Sequence, residues 1–147
     1  MASDHRQGPG SFDRLAAARE ATLLALVDAE NRLDFEAIDQ LFPEPRYELI
    51  GTNRVYDGAD AVRRYLRERR AAFPDLRSEP ITFHHAAESL IAEFWLTGTH
   101  HGAIEGIEPT GRAFRCRMAG IFLFDGERLT CERIYFDNGT IARQLAG

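Results

Sequence analysis

The segment from Phe114 to Asp137 constrains the fold of this chain more than any other, because it has the pattern of two long strands joined by a tight turn. Asp-Gly between two hydrophobic runs is a strong hairpin signal, and Asp125-Gly126 occupies that place. With these two residues as the loop, Asp137 lies opposite Phe114. Since opposite residues share a face of a sheet, the pattern predicts a mostly apolar face with one carboxylate at its edge.

The predicted face takes every second residue of both strands: Phe114, Cys116, Met118, Gly120, Phe122, Cys131, Arg133, Tyr135 and Asp137. A slip of one residue in the pairing would turn the second strand over, so this grouping depends on the turn. In this register Cys116 lies opposite Tyr135 and Cys131 lies opposite Gly120, an offset that a disulfide does not span. We therefore expect two reduced thiols and a cytoplasmic protein.

The carboxyl group of Asp137 has two interpretations at this stage. It is either a strand-end residue, solvated, held by an arginine or starting the turn that Asn138-Gly139 implies, or a general acid/base with a pKa raised by an apolar wall. Arg133 would lower that pKa if its side chain reached the pocket. The spacing of the residues leaves both interpretations open.

Length and composition indicate one domain with a substantial core, since the chain has 147 residues of which 44% are hydrophobic and 28% charged. A formal net charge of −5 argues against nucleic acid as a partner. No apolar run approaches the ~18 residues of a membrane span. Residues 1–12 are polar and contain Gly8-Pro9-Gly10, which predicts a flexible leader followed by a single domain over residues 13–147.

Hydrophobic periodicity places helices first and strands afterwards. The helices are predicted over residues 13–33, 35–42 and 59–73, and the strand candidates cover residues 47–50, 54–56, 78–85, 90–101, 113–124 and 128–136. This order predicts an α+β fold with helices packed on one face of a mainly antiparallel sheet. A twisted sheet covered in this way leaves a pocket at its open end, where a small ligand can bind.

Four histidines occur as the neighbouring pairs His84-His85 and His100-His101. Neighbours on a strand point to opposite faces, so neither pair predicts a metal site, and His84 is expected near Ile91 across a hairpin. His100 is a candidate acid, base or hydrogen-bond donor of a pocket. The chain has no Gly-rich phosphate loop and no dinucleotide fingerprint, so we expect neither a cofactor nor a metal.

A succession of short motifs then suggests a family. Asp57-Gly58 opens a helix, and it is followed by 72-AFPDL-76, 96-LTGTHHG-102, 109-PTGR-112, 124-FDG-126, and Asp137 with the tail 143-RQL-145. Together they resemble the SnoaL-like polyketide cyclases of the nuclear transport factor 2-like superfamily, over about residues 15–147. The resemblance implies a cone-shaped α+β fold around a pocket, usually in a homodimer. It also implies an aspartate near the C-terminus that catalyses an intramolecular aldol condensation by acid/base chemistry without metal or cofactor.

By its place before the tail, Asp137 matches that aspartate. The hypothesis is a cofactor-independent enzyme acting on a small hydrophobic, carbonyl-bearing molecule, with these residues: Asp137 as the acid/base, His100 as its partner, Tyr135 as a hydrogen-bond donor, and Phe94, Met118 and Phe122 as the apolar wall. The penultimate strand departs from the family, because Gly120 stands where many relatives have a histidine or an acid. This departure motivates the alternative of a non-catalytic ligand-binding or dimerisation module. Hydrolysis of an epoxide would need a second carboxylate in a polar cluster, which the sequence does not predict.

Overall fold

The computed structural model describes residues 10–147, which form four α-helices, six strands and one short 3-10 helix at Ile50–Thr52. The helices are α1 (Ser11–Arg32), α2 (Phe35–Leu41), α3 (Ala59–Ala72) and α4 (Asn138–Ala146). The strands are β1 (Arg46–Leu49), β2 (Arg54–Asp57), β3 (Arg77–His85), β4 (Ser89–Thr99), β5 (Ala113–Asp125) and β6 (Arg128–Tyr135). Helix α1 begins inside the range assigned to a leader, whose residues 1–9 lie outside the described part. Helix α4 replaces the turn that the sequence suggested after Asp137.

The strands form one sheet in the order β2-β1-β6-β5-β4-β3. All neighbours are antiparallel except β1 and β6, which are parallel. Buried and more exposed residues alternate along β4 and β5, so one face of the sheet packs against the helices. The predicted α+β class with a curved sheet under helices is confirmed, and the parallel pair makes the sheet mixed. None of the helices in residues 10–147 combines the length and hydrophobicity that crossing a bilayer requires.

Each helix has local reasons for its ends. Asp34 caps α2 as predicted, since its carboxylate accepts a hydrogen bond from the backbone N–H of Ala37 at 3.1 Å. Helix α3 ends immediately before Phe73 and Pro74, where proline disfavours further helix. Helix α1 buries Leu23, Leu26 and Ala29 along one side, and the first two belong to the apolar pattern that predicted the helix.

The hairpin between β5 and β6 differs from its prediction in two ways. Its loop is Gly126-Glu127, because Asp125 pairs with Arg128, and Gly126 takes the positive φ of 60° that this turn needs. Thr130 is then an extra residue of β6, since Leu123 pairs with Cys131 but Phe124 pairs with Leu129. An extra residue of this kind is a β-bulge, and it turns the following residues to the opposite face.

The bulge reverses the predicted facing of β6. Gly120 pairs with Ile134 and Ala119 pairs with Tyr135, so Glu132 and Ile134 face the helices, whereas Arg133 and Tyr135 face outward. The prediction that Asp137 lies opposite Phe114 is therefore wrong. The predicted inward set of β5 is correct, because its members Phe114, Cys116, Met118, Gly120 and Phe122 are buried.

Arg19 fastens helix α1 to both long hairpins. Its guanidinium is almost fully buried, donates to the carbonyl oxygens of Gly126 (2.9 Å) and Ala87 (3.0 Å), and lies 5.3 Å from the ring centroid of Phe124. A buried cation is tolerated when its donors are satisfied in this way. The contact fixes the helix over the end of the sheet that carries both turns.

Gln144 on α4 completes the edge of β5. Strand β6 ends opposite Ala119, so residues 113–118 of β5 extend beyond it. The Gln144 side chain accepts from the N–H of Arg115 at 2.7 Å and donates to the C=O of the same residue at 2.9 Å. An amide group thus takes the place of a neighbouring strand.

Candidate functional site

A carboxyl group lies in the interior between sheet and helices, because the bulge turns Glu132 toward the helices. Glu132 is 7% exposed and sits beside Tyr47 on the neighbouring strand β1 and opposite Phe122 on β5. Its Oε2 atom is buried and has no hydrogen-bond partner among residues 10–147. Buried polar atoms normally have a partner, so an orphaned carboxyl oxygen is a feature that calls for a ligand, a water or a catalytic role.

A second carboxyl group meets the first from helix α1. Glu30 accepts a hydrogen bond from the Tyr47 hydroxyl and also hydrogen-bonds with Glu132. The Tyr47 ring is 2% exposed and packs edge-on to Tyr65, with 6.3 Å between centroids. Three elements distant in sequence, α1, β1 and β6, thus bring two carboxyls and a phenol together.

Helix α3 closes the group with a phenol and a guanidinium. Arg69 donates to the hydroxyl of Tyr65 at 2.6 Å, and its charge lies 5.2 Å from the Tyr65 ring centroid. The ring of Tyr56 stacks on the ring of Tyr65, with 4.3 Å between centroids. We call Glu30, Tyr47, Tyr65, Arg69 and Glu132 the interior cluster.

Burial dominates the electrostatics of the interior cluster. It raises the pKa of Glu132 well above the usual range, and the charge of Glu30 raises it further. Burial also raises the pKa of Glu30, opposed by hydrogen bonds from Tyr47 and Glu132 and by the charge of Arg69. It raises the pKa of Tyr65 to about 12. Two carboxyls in contact cannot both ionise cheaply, so the pair favours the form that holds one proton, as in acid/base sites built from two carboxyls.

Asp137 occupies the first of the two environments that the sequence left open, that of a solvated residue at the end of a strand. Its carboxylate caps helix α4, accepting from the N–H of Gly139 (2.9 Å) and the hydroxyl of Thr140 (2.8 Å), with Arg143 at 3.4 Å. These hydrogen bonds, the Thr140 one foremost, lower its pKa, and its side chain is 65% exposed. A solvated, well-bonded carboxylate is a weak base, so the raised pKa that the catalytic hypothesis needs is found at Glu132 instead.

An open groove of about 620 Å³ nevertheless brings three predicted site residues together: Met118, Tyr135 and Asp137. It is completed by Ile50, Gly51, Glu93, Arg117, Ala119 and Phe136. Tyr135 is 43% exposed and faces outward, so the groove lies mainly on the outward side of the sheet. Arg133 does not lower the pKa of Asp137, because its guanidinium binds Glu48 at 2.8 Å.

The other predicted wall residues face inward. Phe94 lies directly opposite Met118 on β4, and Phe122 follows two positions beyond Gly120 on the same face. These three side chains lie on the helix-facing side, which is the side of the interior cluster. Trp95 lies on the outward face, opposite to that of Phe94, and the guanidinium carbon of Arg115 lies 3.7 Å from its ring centroid.

His100 is fully buried immediately after β4, where it packs at 5.5 Å against Phe73. Its Nδ1 accepts from the N–H of Thr110 at 3.3 Å, so the proton of a neutral ring is on Nε2. This Nε2 has no hydrogen-bond partner within residues 10–147. The groove does not include His100, and its partnership with Asp137 stays a prediction.

Possible metal ligands are dispersed over the described residues, where no group of three or more His, Cys, Asp or Glu side chains is placed to hold an ion. Both cysteines are free thiols, as predicted, and burial raises the pKa of each. His84 pairs with Glu93 at 2.8 Å and His85 with Glu20 at 2.6 Å. The two neighbouring histidines thus face opposite sides of β3, as the alternation predicted.

Comparison with known proteins gives a consistent result. The family model for the SnoaL-like polyketide cyclases matches residues 20–145. IdmH from Streptomyces antibioticus is similar in fold, with a TM-score of 0.75 at 23% identity over 88% of this chain and 99% of its own. TsrD from Streptomyces laurentii has a TM-score of 0.75 at 23% identity, covering 88% and 95%. A SnoaL-like protein from Jannaschia sp. CCS1 has a TM-score of 0.77 at 15% identity, covering 96% and 98%. No curated protein matches.

Proposed function

Because this chain belongs to the SnoaL-like polyketide cyclase family, we propose that it catalyses cofactor-independent acid/base chemistry on a small hydrophobic molecule that carries a carbonyl group. The observation that carries the proposal is the buried, unpartnered Oε2 of Glu132 beside a second carboxyl. A pKa raised by burial is the property that a general acid needs near neutral pH.

In this proposal the two carboxyls divide the work. The Glu30 carboxylate takes the proton from the carbon next to the substrate carbonyl, and protonated Glu132 donates its proton to the carbonyl oxygen as the enol forms. In an aldol cyclisation the enol carbon then bonds to a second carbonyl carbon, and the proton held by Glu30 goes to the new alkoxide while the enol proton returns to Glu132. The hydroxyl of Tyr47 keeps Glu30 in place.

The test is exchange of the protons next to a carbonyl with D2O, followed by NMR over a panel of aryl and cyclic ketones. Glu132→Gln keeps the shape of the side chain but has no proton to give, so the exchange rate falls by about 100-fold or more. Tyr47→Phe reduces it less, because the phenol only orients Glu30. If no ketone exchanges faster with the wild-type protein than with Glu132→Gln, the proposal is refuted.

Asp137→Asn is the matched comparison, because it tests the residue that the sequence nominated. Its carboxylate is exposed and bonded to helix α4, so we expect exchange close to the wild-type rate. Loss of exchange in Asp137→Asn with retention in Glu132→Gln would return the catalytic role to Asp137 and the groove.

The second candidate function, a non-catalytic ligand-binding module, is favoured by the open groove. Its lining is mostly apolar, and the carboxylate at its edge has a lowered pKa. A ligand that binds there without exchange, and loses affinity in a Tyr135→Ala variant, would support this function over catalysis.

We also propose that the protein is a homodimer that uses the outward face of the sheet. Ile91 and Ile121 are cross-strand partners on that face, and Trp95 lies four residues further along β4 on the same face. All three are half-buried, and Tyr135, which is 43% exposed, extends the apolar surface. Exposed aromatic and aliphatic side chains on one surface are typical of subunit interfaces. Sedimentation of the wild-type protein beside Trp95→Glu tests this, since a buried charge there would dissociate the dimer.

A further inference from the structure

The connection between β4 and β5 crosses the end of the sheet that lies away from the two hairpin turns. Glu105, in the middle of this connection, forms a 3.0 Å ion pair with Arg54 at the start of β2. Strands β6 and β1 lie between β5 and β2, so the connection spans about 14 Å at ~4.8 Å per strand spacing. Arg54 pairs with buried Leu49 and therefore faces the helices. We call residues 101–112 the strap.

The two ends of the strap are firmly held. The N–H of His101 donates to the C=O of Ala72, the last residue of α3, at 2.9 Å. At the other end, the backbone C=O of His100 accepts from the N–H of Gly111 at 2.9 Å, and the Nδ1 of His100 accepts from the N–H of Thr110 at 3.3 Å. Because His100 is fully buried, these bonds fasten the strap to the core.

The tip of the strap, residues 103–109, is held much less. Ile104 and Ile107 pair with each other at 2.9 and 3.1 Å, so the backbone bonds of the tip are internal. Ile104 is half-buried against the core, whereas the rest of the tip is exposed. Within residues 10–147, the tip has one polar contact with the rest of the protein, the Arg54–Glu105 pair. Its side chains are 52% and 45% exposed, and such a pair contributes little.

The tip adjoins the interior cluster through Arg54. The hydroxyl of Tyr56 interacts with the Arg54 guanidinium and raises its pKa, and the Tyr56 ring stacks on Tyr65 of the cluster. Glu132, Tyr47 and Tyr65 are each at most 7% exposed, so a molecule reaches them only when a neighbouring element moves. The surrounding helices and strands are held by packing and hydrogen-bond ladders, which leaves the tip as the segment with the fewest restraints.

From this arrangement we propose that the strap is a gate between solvent and the interior. The tip swings away from Arg54, Ile104 leaves the core, and the two fixed ends act as hinges. The inference rests on the function proposed above for the site that the gate serves, and it adds the route by which a molecule enters. Because one exposed ion pair and one half-buried side chain hold the tip, the gate opens spontaneously and needs no partner protein.

Hydrogen exchange of the full-length protein tests this motion without any ligand. The N–H groups of Ile104 and Ile107 belong to the tip, and we expect them to exchange at least about tenfold faster than those of His101 and Gly111, which belong to the fixed ends. The rates are measured by NMR at constant pH. Equal rates for the tip and the ends would refute the gate.

Glu105→Gln tests the contact that holds the tip. It keeps the size of the side chain but removes its charge, so exchange in the tip should become about two- to fivefold faster while exchange at the fixed ends stays unchanged. The matched control is Asp28→Asn, which removes an exposed ion pair with Arg32 on α1 and should leave the strap unchanged. If Glu105→Gln and Asp28→Asn gave the same rates in the tip, the ion pair would not hold the gate.

A reversible lock tests whether molecules pass the strap. Cysteines in place of Arg54 and Glu105 are joined by an ethylene-bridged bis-methanethiosulfonate and released with dithiothreitol; the native thiols Cys116 and Cys131 are buried. Association of Prodan, a fluorescent naphthyl ketone, is followed by stopped flow. We expect association at least about tenfold slower with the locked protein and recovery after release. Equal rates for locked and released protein would overturn the inference, since the probe would then bind without passing the strap.

The outcomes separate the gate from the proposed function. If the lock slows the association of Prodan and no ketone of the panel exchanges its protons, the acid/base function is refuted and the gate stands. If ketones exchange their protons at the same rate with locked and released protein, the gate is refuted and the acid/base function stands.

Discussion

The stability of Glu132→Gln as a function of pH tests the interior cluster without any substrate. Burial raises the pKa of Glu132 above its usual 4.5, so the folded state keeps a proton that the unfolded chain releases. The stability that neutral Glu132 contributes is fully present below about pH 4.5 and is lost as the pH rises through the folded-state pKa. Within that window each pH unit costs the wild-type protein about 1.4 kcal/mol.

Glutamine cannot ionise, so Glu132→Gln lacks this slope. The melting temperature of a domain of this size changes by about 2–4 °C per kcal/mol, so the difference between variant and wild type should grow by about 3–6 °C per pH unit. Circular dichroism melts between pH 4.5 and 8 at constant ionic strength measure it. Glu36→Gln, an exposed position on α2, is the control and should run parallel to wild type. Parallel curves for Glu132→Gln as well would show that the carboxyl is ionised or solvated, and the argument for an interior acid would collapse.

Two further substitutions test contacts outside the cluster. Arg19→Met keeps the length of the side chain but leaves the turn carbonyls without their charged donor, so urea unfolding should show a free energy of unfolding lower by about 3 kcal/mol. The control Arg64→Met, at an exposed position, should change it little. Equal losses in both variants would contradict the role given to Arg19. Asp137→Ala should lower the melting temperature at neutral pH by removing the cap of α4, and because the pKa of Asp137 is lowered, the difference should vanish as the pH falls through that pKa. If the difference in melting temperature persisted in strong acid, the ionised carboxylate of Asp137 would not be the group that stabilises the start of α4.

The sequence predicted the elements well because their signals are local. Hydrophobic periodicity predicted three of the four α-helices, with each end within two residues of its observed position, and Asp34 correctly indicated the start of α2. Alternation gave both long hairpins and the inward set of β5. Helix α4 was missed because Asn138-Gly139 is also a turn signal, and its helical contacts follow from the cap that Asp137 provides.

The candidate site was predicted poorly because it depends on one residue of register. Thr130 contains no signal that marks it as a bulge, yet its insertion exchanges Tyr135 for Glu132 on the inward face. The remaining members, Glu30, Tyr47, Tyr65 and Arg69, belong to three elements with no sequence pattern that joins them. The inward facing of Glu132 could have been found only by comparing the two possible registers of β6 and the set of side chains that each one would bury.

The amide of Gln144 has a consequence for how this protein behaves at high concentration. The first six residues of β5 form an unpaired strand edge, which is a template on which another chain can add a strand. Here a side chain from α4 occupies the backbone groups of Arg115 instead. Protection of this edge against strand addition therefore depends on α4, a helix of nine residues near the end of the described chain. Proteins shortened before Gln144, or with a fusion that pulls α4 away, would offer that edge to their neighbours and form assemblies by strand addition. An affinity tag is accordingly better placed at the N-terminus.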